Sequence, residues 1–209
     1  MLEREFVDFF NKQKEAFLKE YKKNSYEKIL NSFEHWLRVE QGKAEEEFAS
    51  GESLKFEDFV ERVLARAREI LLARGVKMIY PSAEQWLGLK SSWRCLKVLE
   101  SKHIYYRVGR TRPRKGPYQN RDLLVFDLVM DGQKNQVFLP LLKQKRKIES
   151  ELGEMLVREL PKVEATGKYR LKLVMPFQLV EHRNIGFASQ KLADFILATK
   201  KALNDLGVN

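Results

Sequence analysis

The stretch RVGRTRPRKGPYQNR, residues 107–121, carries six cations (Arg107, Arg110, Arg112, Arg114, Lys115 and Arg121) and no carboxylate. Guanidinium and ammonium groups at that density suit the neutralisation of a chain of phosphates. Each phosphate neutralised releases counterion and adds roughly 0.9 to the salt slope of binding to duplex DNA. Arginine also stacks on bases, and Tyr118 offers an aromatic face to an unstacked one. A second basic group, Lys143, Arg146 and Lys147, extends the same surface if its helix packs beside the first. The plainer reading is a solvated tip whose charges only aid solubility. Six bases without an acid, in a chain with 29 acids, favour binding.

Catalysis finds less support. A metal-dependent nuclease commonly needs an acid on one strand and Asp/Glu-x-Lys on the next, to hold Mg²⁺ and orient water. Glu100-Ser101-Lys102, at the end of a predicted strand with Glu84 upstream, fits that pattern. Chance alone gives about three such triplets at this composition, and the chain has two, the other being Glu20-Tyr21-Lys22. His35, His103 and His182 are far apart, and none has a second ligand at helical spacing, so no metal site is expected. Asp122, Asp127 and Asp131 lie on or just after one strand, but the sequence names no further ligands for them. Nucleophile elbow, Walker A and GxGxxG motifs are absent, and no cofactor is implied. Cys95, the single cysteine, sits in the alternating WRCLKVL and reads as a structural thiol.

The elements that must position these groups change period along the chain. Phe6, Phe10, Phe17 and Tyr21, then Tyr26, Ile29, Leu30, Phe33, Trp36 and Leu37, keep helical spacing. The acidic GKAEEEFASGESLK at 42–55 breaks that pattern and marks a linker. A further helix is predicted from Phe56 through Phe59, Val60, Val63, Leu64 and Leu71, ending at Gly75. Beyond Gly75, VKMIY, WRCLKVL, HIYYRV, DLLVFDLVM and YRLKLVM have strand length and β-branched or aromatic content. HIYYRV and DLLVFDLVM flank the basic stretch and predict a β-hairpin with a loop of about a dozen residues, longer than the usual two to five. Pro140 then suits the start of one helix, LLKQKRKIESEL, closed by Gly153. Its bases precede its acids, against the helix macrodipole, so helix stability is not why they sit there. The last helix follows Gly186, with Ala188, Leu192, Phe195, Thr199, Ala202 and Leu206 as its core stripe and Gly207 as its stop.

These elements give an α+β fold: N-terminal helices, then a mainly antiparallel sheet with a long basic β-hairpin, packed against two C-terminal helices. The division expected is a helical extension at 1–55 and an α+β domain at 56–209. At 209 residues and 44% hydrophobic the chain can bury a core. No apolar run reaches the ~20 residues that cross a bilayer, and the charged N-terminus is unlike a secretory signal, so a cytoplasmic protein without a membrane partner is expected. The net charge of +10 is unevenly placed. Residues 1–86 hold 15 Lys+Arg against 17 Asp+Glu, and residues 87–209 hold 24 against 12. Such asymmetry suits a polyanion partner.

From about Phe56 onward the chain resembles an uncharacterised prokaryotic domain family that commonly follows restriction-nuclease-like regions. The residues carrying the resemblance are Pro81-Ser82 before Trp86-Leu87, and Ile148-Glu149 before Glu151-Leu152-Gly153. The resemblance implies an α+β fold and a DNA-related context such as defence against foreign DNA, with DNA ahead of RNA as ligand. It implies no catalytic residues, since in such proteins the activity lies in the attached region. Residues 1–55 lack the acid-bearing strands of a nuclease core, so cleavage would need a partner chain. The leading expectation is a non-catalytic nucleic-acid-binding or nuclease-accessory protein. The alternatives are a divergent metal-dependent nuclease using Glu84, Glu100 and Lys102, and an interaction subunit docking a protein partner or second copy through residues 1–40.

Overall fold

The computed structural model describes residues 55–81 and 93–208. The expected helices before residue 55, their aromatic stripe, His35, Glu84 and the Trp86-Leu87 pair lie outside the described residues. The chain divides into two compact units, Met1–Ser53 and Leu54–Asn209, and the second is the one described.

Helix α1 (Phe56–Ala73) buries Phe59, Val60, Val63, Leu64, Ala67 and Leu71 along one stripe. Glu57 and Asp58 occupy its first turn, where the macrodipole favours acids. It stops where the Val76 N–H donates to the Leu71 carbonyl (2.8 Å), and Gly75 takes φ 73°, a left-handed conformation that suits glycine. The segment expected as a strand at 76–80 pairs only through an isolated bridge between Ile79 and Lys97. Its burial still alternates, with Val76 and Met78 in the core and Lys77 and Ile79 exposed.

Five strands follow: β1 (Trp93–Leu96), β2 (Ile104–Thr111), β3 (Leu123–Asp131), β4 (Leu156–Arg158) and β5 (Lys168–Pro176). They form one sheet in the order β1-β2-β3-β5-β4, with every neighbouring pair antiparallel. Between β3 and β4 run a π-helical turn (Lys134–Phe138), α2 (Leu139–Lys143) and α3 (Lys145–Leu152). The single helix expected there is interrupted at Gln144, whose N–H is shared between the Leu141 and Leu142 carbonyls as the turn tightens. Gly153 ends α3 at φ 68°. Short α4 (Pro161–Glu164) precedes β5, and α5 (Gln178–Glu181) links β5 to the long α6 (Ile185–Asn204).

Strand alternation sends Ile104, Tyr106 and Val108 to the face covered by α1 and α6, with Leu124, Phe126, Leu128 and Met130 beside them and Leu171, Leu173 and Met175 beyond. α6 fills this layer with Ala188, Leu192, Phe195, Ile196 and Leu203. The Tyr106 ring meets Phe195 edge-on at 5.9 Å, and its hydroxyl lies 2.9 Å from Thr199 Oγ1. β3 is central and buried on both faces, which explains its nearly unbroken apolar run.

The other face carries a charged row in register, Arg107, Asp127 and Lys172. Beside it Glu159 accepts from Arg170 (2.9 Å) and Lys172 (2.8 Å). At the β4 edge the outward Leu156 N–H donates to Glu149 (2.7 Å) and the Leu160 N–H to Glu159 (3.0 Å). No helix of the described residues is long and apolar enough to cross a membrane.

Candidate nucleic-acid interface

The hairpin predicted from sequence is β2–β3, and its connection covers residues 112–122. Pairing runs to Thr111↔Leu123, so Arg107 and Arg110 belong to a strand and not to the loop. Arg107 donates to Asp127 Oδ2 from Nε (2.8 Å) and Nη2 (2.5 Å), and its guanidinium lies 4.0 Å from the Trp93 ring centre. Asp127 is fully buried, its Oδ1 has no hydrogen-bond partner among the described residues, and burial pushes its carboxyl up against the pull of Arg107, Lys172 and Arg170. Arg107 therefore neutralises a carboxylate inside the fold and is not available to a phosphate.

Arg110 points to the helical face. Its Nε donates to Asp122 (3.1 Å) and its guanidinium lies over Phe177 at 4.5 Å. The bond from Arg110 holds the Asp122 carboxyl below its ordinary value. Arg112 donates from Nε to the Asn120 carbonyl (3.2 Å), which ties the loop's two arms together. The alternating Arg110, Arg112 and Arg114 thus do not form one row, because only the first is on a strand.

Backbone hydrogen bonds order the tip: Asn120 N–H to Pro113 (2.8 Å), Gln119 N–H to Gly116 and Arg121 N–H to Tyr118 (both 3.1 Å). Asn120 takes φ 58° and Gly116 φ 93°, conformations that asparagine and glycine tolerate. On this frame Arg112, Arg114, Lys115 and Arg121 are exposed and Tyr118 is half-buried. None of the four cations has an ion pair among the described residues.

Comparison with protein-family models, curated proteins and solved structures gives no match.

The second basic group lies elsewhere. α3 packs along α6 in antiparallel fashion, with Lys147 pairing with Asp205 (3.6 Å) and Glu151 with Lys201 (2.7 Å). α6 starts beyond the Pro176 end of β5, which is the loop end of the sheet, and runs back past Tyr106 to Asp205. Lys143, Arg146 and Lys147 therefore sit at the far end of α6 from the loop, about 30 Å away for 20 helical residues. Lys143 and Arg146 are exposed.

The other sequence candidates disperse. Glu100 and Lys102 lie exposed in the bend between β1 and β2, not on a strand. His103 is exposed there, and His182 caps the end of α5. Among the described residues no group of three or more His, Cys, Asp or Glu is placed to hold a metal ion.

Proposed function

We propose that this protein is a non-catalytic nucleic-acid-binding protein that grips phosphates through the 112–122 loop and serves as accessory to a nuclease. One observation carries the reading. Arg112, Arg114, Lys115 and Arg121 project from an ordered turn, exposed and without an ion pair among the described residues, with Arg112 adding its charge to the field on Asp122. The acids nearest in sequence are already engaged, since Asp122 accepts from Arg110 and Asp127 from Arg107. One carboxylate, Asp122, already paired with Arg110, leaves most of the positive charge at the tip uncancelled from within the hairpin. A turn held by its own backbone bonds also presents those charges with less ordering cost on binding than a floppy one. The half-buried Tyr118 supplies an aromatic ring on which a base can stack. The charge of the unit supports the same partner: residues 54–209 hold 30 Lys+Arg against 17 Asp+Glu, a net +13. DNA ahead of RNA and the nuclease context rest on the resemblance of residues from Phe56 onward, and a cytoplasmic setting rests on the charged, signal-free reading of the N-terminus.

The test is binding to duplex and single-stranded DNA and RNA across a salt titration. Replacing Arg112, Arg114, Lys115 and Arg121 with Ala should weaken binding and flatten the slope on duplex DNA by up to about 3.6, or roughly 0.9 for each phosphate no longer neutralised. A variant that keeps the wild-type slope removes the loop as the binding surface.

A further inference from the structure

A cavity of about 570 Å³ opens at the β1 edge of the sheet, away from the loop. That size is within the range of small-molecule sites. Its walls are apolar and aromatic: Ile79 is 59% exposed at the mouth, and strand register puts Tyr105 on the same face as Ile79 and Lys97, while the Tyr80 side chain turns to α1, where it bonds Arg68. Lys97 and Lys102 also line it, and neither has an ion pair among the described residues.

The strand edge adds a third feature. The Lys97 N–H and C=O both turn away from β2 to bond Ile79, each at 2.8 Å. Antiparallel alternation then places Leu96 toward β2 and the Cys95 N–H and C=O outward, on the same side as the Ile79 bridge. Cys95 itself lines the cavity. One wall thus offers a main-chain donor and acceptor side by side, a pattern that the edge of an amide or a nucleobase can match.

We propose that this cavity binds a small planar heterocycle carrying an anionic group, as a nucleoside monophosphate does. The ring lies against Tyr105 and Ile79, its polar edge meets the Cys95 main chain, and the anion meets Lys97 and Lys102. A bare anion would leave the apolar wall unused, and an uncharged ring would leave two ammonium groups unanswered. The site is separate from the phosphate-gripping loop and does not depend on it.

Calorimetric titration with the ribonucleoside 5′-monophosphates, indole-3-acetate and inorganic phosphate tests this directly. A planar phosphate or planar carboxylate should bind saturably and shift the Cys95 amide resonance, while inorganic phosphate should not; the better of the two planar ligands names the anion. Ile79→Trp fills the exposed mouth without touching the backbone bridge and should weaken binding more than tenfold. Lys97→Ala with Lys102→Ala should weaken it by about tenfold, as loss of charge-assisted bonds would. The proposal fails if no planar anion binds, if inorganic phosphate binds as well as the nucleotides, or if both variants bind like wild type. Alanine variants of the loop should leave this titration unchanged.

Discussion

Glu159 gathers three donors, from Arg170, Lys172 and the Leu160 N–H, while remaining 8% exposed. Burial pushes its carboxyl up, but the hydrogen bonds from Lys172 and Leu160 and the charges of Lys172 and Arg170 outweigh it, so its pKa is lowered. A lowered folded pKa means that the stability it supplies is complete above its ordinary value of about 4.5 and is lost as pH falls through the folded value. Glu159→Gln should therefore cost about 2 kcal/mol at pH 7. The gap from wild type should shrink as pH drops below that range, as denaturant midpoints at several pH values would measure. Tyr106 gives a pH-independent counterpart. Its hydroxyl is buried against Thr199, and burial drives the phenol far above its ordinary pKa. Tyr106→Phe should cost about 1 kcal/mol at every accessible pH. The same scale explains what cation counting missed. Within 107–121 there is no acid, but Asp122 and Asp127 stand just before and on the next strand, and strand register brings them to Arg110 and Arg107. Aligning HIYYRVGR against DLLVFDLV could have found those pairs; composition alone could not.

Elements were legible in proportion to their length. The stripes of α1 and α6 span five turns each, and tertiary packing kept them: every α1 residue from Phe59 to Leu71 named for the stripe is buried. Gly75, Gly153 and Gly207 all stand at positive φ where helices end. β4 was not foreseen, because Leu156–Arg158 is too short to show a period and exists by pairing with β5. Gly153 allows a clean measurement at this scale. Its φ is 68° and an added Cβ would meet nothing within 4 Å, so Gly153→Ala incurs only the left-handed backbone penalty, about 1 kcal/mol. Thermal unfolding should register that loss without change in binding.

Across the whole molecule the two basic groups are held apart by the length of α6. A duplex of about eight base pairs spans roughly 27 Å at 3.4 Å per pair, too short to touch both. On such a duplex Lys143→Ala with Arg146→Ala should leave affinity unchanged, while the loop variants should still reduce it. On a duplex of about 20 pairs the two sets of changes should add, within roughly 0.5 kcal/mol, since the sites share no partners. Fluorescence anisotropy at fixed salt would separate the cases. This separation was not readable from the chain, where the groups lie only about 30 residues apart; the path of α6 decides it.

The outer rim at β4 has its own consequence. An unguarded strand invites a neighbour's backbone to zip onto it, and the exposed Met155 and Leu160 would otherwise favour that approach. With Glu149 and Glu159 already holding the Leu156 and Leu160 amides, an intruding chain would have to evict an anion to bond at either end of the strand. Removing that guard with Glu149→Ala should make concentrated solutions scatter more light over time, whereas the parent protein should stay clear.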